Sequence, residues 1–195
     1  MSRLEASTFL RLAIAGEAGL LVIAWGAGRW IGISPLGRLQ LTFGALALGA
    51  AAAFPLLLGL RWALTTRVSS VRRLVSLVEE QLGPVLLPRS PAELAFLAIL
   101  AGLAEEILFR GVLQAGLALL LPAGVALVIA SLLFGLAHFV TPTYAVLAAV
   151  AGLYLGTVFL LQGNLLVPIV AHAVYDFVAL TYLVRRYGAV QNALR

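Results

Sequence analysis

Three apolar segments in the second half of the chain carry ionisable side chains that suit acid–base catalysis. They are Glu105, Glu106 and Arg110 in the first segment, His138 in the second, and His172 with Asp176 in the third. A buried carboxylate can act as a general base, and an imidazole can hold the same water molecule or stabilise a developing oxyanion. No serine stands in a recognisable nucleophile motif, and the chain has no cysteine. The pattern therefore indicates direct attack by water.

Helical spacing predicts different roles for the two adjacent glutamates, Glu105 and Glu106. Glu106 and Arg110 are four residues apart, so their side chains share one helix face and can form an ion pair. Glu105 points about 100° away from Glu106 around the helix. We therefore predict a structural Glu106–Arg110 pair and a free, functional Glu105, although such an ion pair is also common where no chemistry takes place.

The two histidines are the only ones in the chain, and each has a neighbour at helical spacing. His172 and Asp176 are four residues apart, so the carboxylate can accept a hydrogen bond from the imidazole. Phe134 lies one turn before His138 and can form an apolar wall beside it. A single histidine in a membrane helix is often only a helix–helix hydrogen-bond donor, but two histidines with two carboxylates indicate a site for catalysis or transport.

The composition places these residues in a membrane. Of 195 residues, 63% are hydrophobic and only 11% are charged, against about 25% charged residues in soluble domains. This excludes a soluble globular protein, a disordered chain and a disulfide-rich secreted domain. All 13 basic residues are arginine and the net charge is +5, but no basic–aromatic module accompanies them, so we expect lipid headgroups rather than nucleic acid as partners.

The apolar segments predict an all-α, polytopic transmembrane helix bundle with about six spans, each near the roughly 20 residues that a bilayer requires. The predicted spans cover residues of about 9–30, 39–64, 91–121, 123–140, 144–161 and 165–184. The first span carries Glu17, which we interpret as facing other helices; the alternative is a buried ion-pair partner or a proton site. Residues 1–89 would form an N-terminal part of two spans and a connector, and residues 90–195 a catalytic core, within a single membrane domain.

The connector before the third span has a different pattern. Apolar residues from Val68 to Leu82 repeat at helical spacing, while arginines and glutamates fill the opposite face. This predicts an amphipathic helix lying at the membrane surface, ended by Gly83 and Pro84. Ser90 and Glu93 then predict a capping box at the start of the third span.

The distribution of arginine predicts the orientation. With the N-terminus inside, the inner loops collect most of the arginines and the outer loops only Arg29 and Arg38, which places both termini in the cytoplasm. The lysine-free composition, rich in alanine, leucine and arginine, is typical of a GC-rich prokaryote. We therefore expect a protein integral to a prokaryotic cytoplasmic membrane.

Charge at a helix centre costs about 2.5–3.5 kcal/mol per residue in insertion scales, so the ionisable residues should face one another rather than lipid. This raises a question of depth. At about 1.5 Å per residue, Glu105 would lie roughly 20 Å from the cytoplasmic end of its span, whereas His138 lies near that end of its own. The third span is therefore predicted to be tilted, broken or displaced.

The motifs EExxxR, FxxxH and HxxxD, in this order, resemble the CAAX protease and bacteriocin-processing family, also called CPBP or Abi. This group of membrane-embedded endopeptidases includes the Ras-converting CAAX enzymes. The stretch GNLLVPIVAH before the last motif is also similar, and the resemblance covers about residues 90–185. It implies an intramembrane endopeptidase that acts on a membrane-associated peptide or protein.

The resemblance also implies roles for the motif residues. Glu105 and His138 would activate water, His172 and Asp176 would stabilise the oxyanion, and Glu106 with Arg110 would hold the site together. The eukaryotic branch has Asn at the last position; an ionised Asp176 cannot donate a hydrogen bond, so we expect it to orient His172 instead.

No cofactor is predicted, because the chain lacks HExxH. The residues still leave a zinc site open, with Glu105, His138 and His172 as its ligands. Two other functions use the same buried residues: a proton-coupled transporter, and a non-catalytic membrane scaffold or regulator. The absence of inverted repeats disfavours the first, and the complete set of motif residues disfavours the second.

Overall fold

A computed structural model describes residues 3–193 of the chain, with side chains described for residues 7–193. Every regular element in that range is helical, which confirms the predicted all-α membrane bundle. The helices are α1 (Arg3–Ile31), α2 (Phe43–Thr65), α3 (Ser69–Leu86), α4 (Pro91–Glu106), a π-helix (Ile107–Gln114), α5 (Ala115–Leu117), α6 (Ala123–Ala137), α7 (Pro142–Gln162) and α8 (Leu166–Ala193).

Four helices are long and apolar enough to cross a membrane: α1 from Ser7 onward, α2, α7 and α8. The third and fourth predicted spans do not appear as long α-helices. α4 has 16 residues and is followed by a π-helix, and α6 has 15 residues. The protein is thus a polytopic integral membrane protein in which the segments that carry Glu105 and His138 are the shorter or interrupted ones.

The start of α4 follows from its sequence. The Ser90 side chain accepts a hydrogen bond from the Glu93 backbone N–H at 3.3 Å, and the Glu93 carboxylate accepts one from the Ser90 N–H at 2.8 Å. Pro91 occupies the first turn, where its missing N–H costs nothing. The predicted capping box is confirmed, and it determines where the helix that carries Glu105 and Glu106 begins.

The predicted end of the amphipathic helix at Gly83 and Pro84 is wrong. α3 continues through both residues to Leu86, although Pro84 cannot donate a backbone hydrogen bond. Val85 and Leu86 are buried, at 8% and 2% exposure, and Leu86 packs with Leu183 of α8. This packing compensates for the hydrogen bond that proline removes. Gly83 has another role, because a side chain there would collide with the ring of Tyr187.

Small residues allow the helices that carry the motifs to approach closely. A Cβ atom on Gly135 of α6 would lie 2.5 Å from the Ala145 carbonyl oxygen of α7. A Cβ atom on Gly102 of α4 would lie 3.0 Å from the backbone of Ile169 and Ala173 of α8. These two crossings bring the helices that bear Glu105, His138 and His172 together, as small residues commonly do in membrane bundles.

Asn164 determines where α8 begins. Its side-chain oxygen accepts hydrogen bonds from the backbone N–H groups of Gln40 and Leu166, at 3.1 and 3.0 Å, and its amide donates to the Gln40 carbonyl at 3.0 Å. The preceding Gly163 has φ +62°, a conformation that favours glycine, and closes α7. The loop before α2 is therefore attached to the start of the helix that carries His172 and Asp176.

Candidate active site

Glu106 lies at the centre of a fully buried network. Its Oε2 atom is 3.1 Å from Nε of Arg110, and its Oε1 atom accepts a hydrogen bond of 2.9 Å from Nδ1 of His172. The exposure of Glu106 is 0% and that of Arg110 is 1%. The predicted Glu106–Arg110 pair is confirmed. The contact with His172 adds a connection to another helix that spacing along one segment could not indicate.

Glu105 faces both histidines. Its Oε2 atom is 3.5 Å from Nε2 of His138 and 3.9 Å from Nε2 of His172. The third segment changes from an α-helix to a π-helix at Ile107, directly after the two glutamates. π-helical turns occur often at functional sites. Glu105 and His138 consequently lie within reach of a single water molecule.

His138 has a defined proton arrangement. Its Nδ1 atom is 2.8 Å from the carbonyl oxygen of Phe134. Because a carbonyl oxygen only accepts hydrogen bonds, Nδ1 carries a proton; in the neutral ring, Nε2 is then the unprotonated nitrogen, and it faces Glu105. The Phe134 ring lies against the imidazole, with centroids 4.4 Å apart, so it is the apolar wall that its position one turn earlier predicted.

Asp176 is closer to Nε2 of His172 than to Nδ1. Its Oδ2 atom is 3.5 Å from Nε2, whereas Glu106 holds Nδ1 at 2.9 Å. The shortest polar contact of His172 is therefore with Glu106 rather than with the residue four positions later. Nε2 of His172 lies between two carboxylates, since Glu105 approaches the same nitrogen.

A second pair of polar contacts extends the network in a direction that the sequence did not reveal. Arg110 donates to the Gly152 carbonyl at 2.9 Å, and Gln114 donates to the Gly156 carbonyl at 3.0 Å. Both donors are buried and lie in the π-helix. They are four residues apart, as are the two acceptors Gly152 and Gly156 on α7. The sequence feature that could have indicated this role for Gln114 is a polar side chain in an apolar segment, four residues after Arg110.

The polar groups open into one cavity of about 620 Å³ that reaches from the histidines to α3. Its polar lining includes Glu17, Glu105, His138, Tyr144, His172, Tyr175 and Asp176. Its other walls are mostly apolar and include residues of α1, α2, α3 and α8. Glu17, which we interpreted as a packing residue, lies on this wall with Oε2 buried and without a hydrogen-bond partner among the described residues.

Among residues 7–193, no group of three or more His, Asp or Glu side chains is arranged so that it could hold a metal ion. Glu105, His138 and His172 are the set that the sequence left open for zinc, but Glu105 contacts the two rings through a single oxygen at 3.5 and 3.9 Å.

Residues 88–178 match the family model described as type II CAAX prenyl endopeptidase Rce1-like. No curated protein and no solved structure matches the chain. The matched segment contains all three motifs and excludes α1, α2 and α3. The predicted resemblance is confirmed, since residues 88–178 of this membrane protein are similar to the CAAX protease family.

Proposed function

We propose that this chain, which carries an Rce1-like domain within its membrane bundle, is an intramembrane endopeptidase that cleaves a peptide bond with water activated by Glu105 and His138. The membrane would be a prokaryotic cytoplasmic membrane, with both termini inside. The observation that carries the proposal is Glu105, a buried carboxylate that forms no ion pair with an arginine of residues 7–193 and lies 3.5 Å from Nε2 of a histidine at the wall of a cavity.

The reaction starts with a water molecule between Glu105 and His138. Glu105 accepts a proton from this water, while the unprotonated Nε2 of His138 accepts a hydrogen bond from it and so orients its lone pair. The water oxygen then bonds to the peptide carbonyl carbon, and the carbonyl oxygen becomes an oxyanion.

Collapse of this tetrahedral intermediate breaks the C–N bond. The leaving nitrogen takes the proton that Glu105 accepted, so the products are an amine and a carboxylic acid and the site returns to its initial state. Glu106 supports these steps indirectly. It holds the orientation of the His172 ring through a hydrogen bond from Nδ1, and its own charge is balanced by Arg110.

The size and lining of the cavity support a substrate that enters from the bilayer. A volume of about 620 Å³ with predominantly apolar walls suits an extended peptide segment with large apolar side chains. Residues of α3 contribute to this wall, so the amphipathic helix would contact the substrate near the cytoplasmic surface.

The test compares wild type with Glu105→Gln in cells and in purified proteoliposomes, by mapping new peptide termini. Loss of general-base catalysis costs about 10²–10⁴-fold in rate, so wild-type cleavage products should disappear in Glu105→Gln. Glu80→Gln is the matched control, because Glu80 is exposed on α3 and does not line the cavity. Cleavage should also persist after chelation with phenanthroline.

Three outcomes would contradict the proposal. Products that remain in Glu105→Gln would remove the carboxylate from the mechanism. Loss of cleavage on chelation, with recovery on addition of zinc, would replace the mechanism with a metal-dependent one. If wild type produced no termini that Glu105→Gln lacks, the chain would be a membrane scaffold or regulator.

A further inference from the structure

The proposed reaction needs hydrogen-bond donors for the oxyanion, and the known motif residues supply few. An oxyanion is stabilised by N–H or O–H groups already directed at its position. His138 uses its Nδ1 proton on the Phe134 carbonyl, and His172 uses its Nδ1 proton on Glu106. Arg110 is bound to Glu106 and Gly152 and does not line the cavity.

The remaining nitrogen, Nε2 of His172, lies near two carboxylate oxygens. It lies 3.5 Å from an Asp176 oxygen and 3.9 Å from a Glu105 oxygen. A proton on Nε2 is therefore directed at carboxylates, and an ionised Asp176 has only acceptor atoms. Among the motif residues that line the cavity, each N–H group with a hydrogen bond is therefore directed at a carboxylate or a carbonyl.

Tyr144 is a donor in the right place. Its ring packs edge-on against the imidazole of His138, with centroids 5.8 Å apart and an interplanar angle of 87°. Its side chain lines the cavity beside Glu105 and His138, and within residues 7–193 no hydrogen bond is made by its hydroxyl. A phenolic O–H usually finds a partner when it is buried.

The position of Tyr144 is well determined by the local sequence. It lies in the first turn of α7, where its backbone N–H donates to the Thr141 hydroxyl at 3.1 Å and Pro142 is the first residue of the helix. Tyr175 also lines the cavity, but it lies on α8.

We infer that the hydroxyl of Tyr144 donates a hydrogen bond to the substrate carbonyl oxygen as this oxygen becomes the oxyanion. The inference rests on the proposed function and adds a catalytic residue outside the three motifs. No proton is transferred to the oxyanion in this step. The O–H bond stays intact, and the hydrogen bond is released when the C–N bond breaks and the carbonyl reforms.

The test uses Tyr144→Phe, which keeps the ring contact with His138 and removes only the hydroxyl. Loss of one oxyanion donor costs about 10²–10³-fold in kcat, so the single-turnover rate should fall by this factor while KM stays unchanged. The substrate is the membrane peptide whose cleavage by wild type is identified by terminus mapping. Tyr154→Phe is the matched control on the same helix, because its hydroxyl donates to the Ala52 carbonyl outside the cavity.

A second measurement separates a catalytic role from a structural one. A phosphinate analogue of the cleaved peptide mimics the tetrahedral intermediate, so Tyr144→Phe should weaken its binding by a similar factor. The same change in a Glu105→Gln background should leave the affinity for the intact peptide unchanged.

The inference is overturned if Tyr144→Phe cleaves within threefold of wild type, or if Tyr175→Phe rather than Tyr144→Phe lowers kcat. An equal loss of affinity for peptide and analogue would also overturn it, because the hydroxyl would then only bind the ground state. Glu105→Gln assayed in parallel keeps these results distinct from failure of the proposed function, in which wild type would not cleave at all.

Discussion

Glu105 and Glu106 are adjacent in the chain, yet their side chains have opposite surroundings. Glu106 is 0% exposed and contacts Arg110 and His172 at 3.1 and 2.9 Å. Glu105 faces the cavity, and its Oε2 atom has no hydrogen-bond partner among the described residues. The first glutamate is available to a substrate or water, and the second is available only to the protein.

The buried Glu106–Arg110 pair predicts a large stability effect. Arg110→Met removes the cation but leaves the buried carboxylate, so the free energy of unfolding in detergent micelles should fall by about 3–5 kcal/mol. The double variant Glu106→Gln/Arg110→Met should recover part of this loss, because no unpaired charge remains. Chemical unfolding curves measure both effects.

Arg89→Met is the matched control for this prediction. Arg89 also forms an i,i+4 pair with a glutamate, at 3.0 Å, but its partner Glu93 is partly exposed. Surface pairs contribute little, so this variant should unfold close to wild type. An Arg110→Met protein as stable as Arg89→Met would refute the assignment of the buried pair as structural.

The contact between α6 and α7 illustrates how an element positions a site. His138 immediately follows α6, and Tyr144 lies in the first turn of α7, so the distance between the two helices determines the distance between the two rings. Gly135 sits at the closest approach, facing the Ala145 carbonyl and the Ala149 side chain. The Ala145 carbonyl oxygen belongs to the backbone of α7, so it cannot move away from an added Cβ atom as the end of a flexible side chain could.

Gly135→Ala should therefore separate α6 from α7. Overpacking a close contact costs about 1–3 kcal/mol, and we expect this loss of unfolding free energy together with a lower cleavage rate. Gly124→Ala is the control on the same helix, because a Cβ atom there meets nothing within 4 Å. If both variants unfolded at the same denaturant concentration, the helix contact would not be the constraint that the structure indicates.

At the scale of the whole molecule, the protein is a membrane bundle whose surface is largely apolar. Four of its helices have the length and composition of spans, and many large apolar side chains are exposed on them, such as Val22 of α1 at 73% and Phe54 of α2 at 62%. In water this surface would drive association; in a bilayer it faces lipid. The polar residues of the site are enclosed instead.

The orientation in the membrane remains a prediction from arginine placement, and labelling can test it. Because the chain has no cysteine, a maleimide can label only the single cysteine that each substitution introduces. Ser34→Cys, in the exposed loop after α1, should react with a membrane-impermeant maleimide on intact cells. Ser69→Cys and Asn192→Cys should react only after the membrane is permeabilised, since both are predicted to lie in the cytoplasm. The reverse pattern would invert the topology.

Much of the local structure could be predicted from the sequence because it depends on helix periodicity alone. The Glu106–Arg110 pair and the Ser90–Glu93 capping box connect residues three or four positions apart, and both are confirmed. The end of α3 was wrong for the opposite reason. Pro84 is a local stop signal, but burial of Leu86 against α8 outweighed it.

The sequence by itself determined the membrane class, the helical architecture and the set of polar residues that must avoid lipid. Only the tertiary structure decided how these residues are paired. Glu106 bonds to a histidine 66 positions away, Gln114 reaches the Gly156 carbonyl, and Tyr144 joins the wall beside His138. The physical reason is that helix periodicity orders side chains along one helix, whereas contacts between helices depend on where small residues let backbones approach and where the π-helix interrupts the α-helical course.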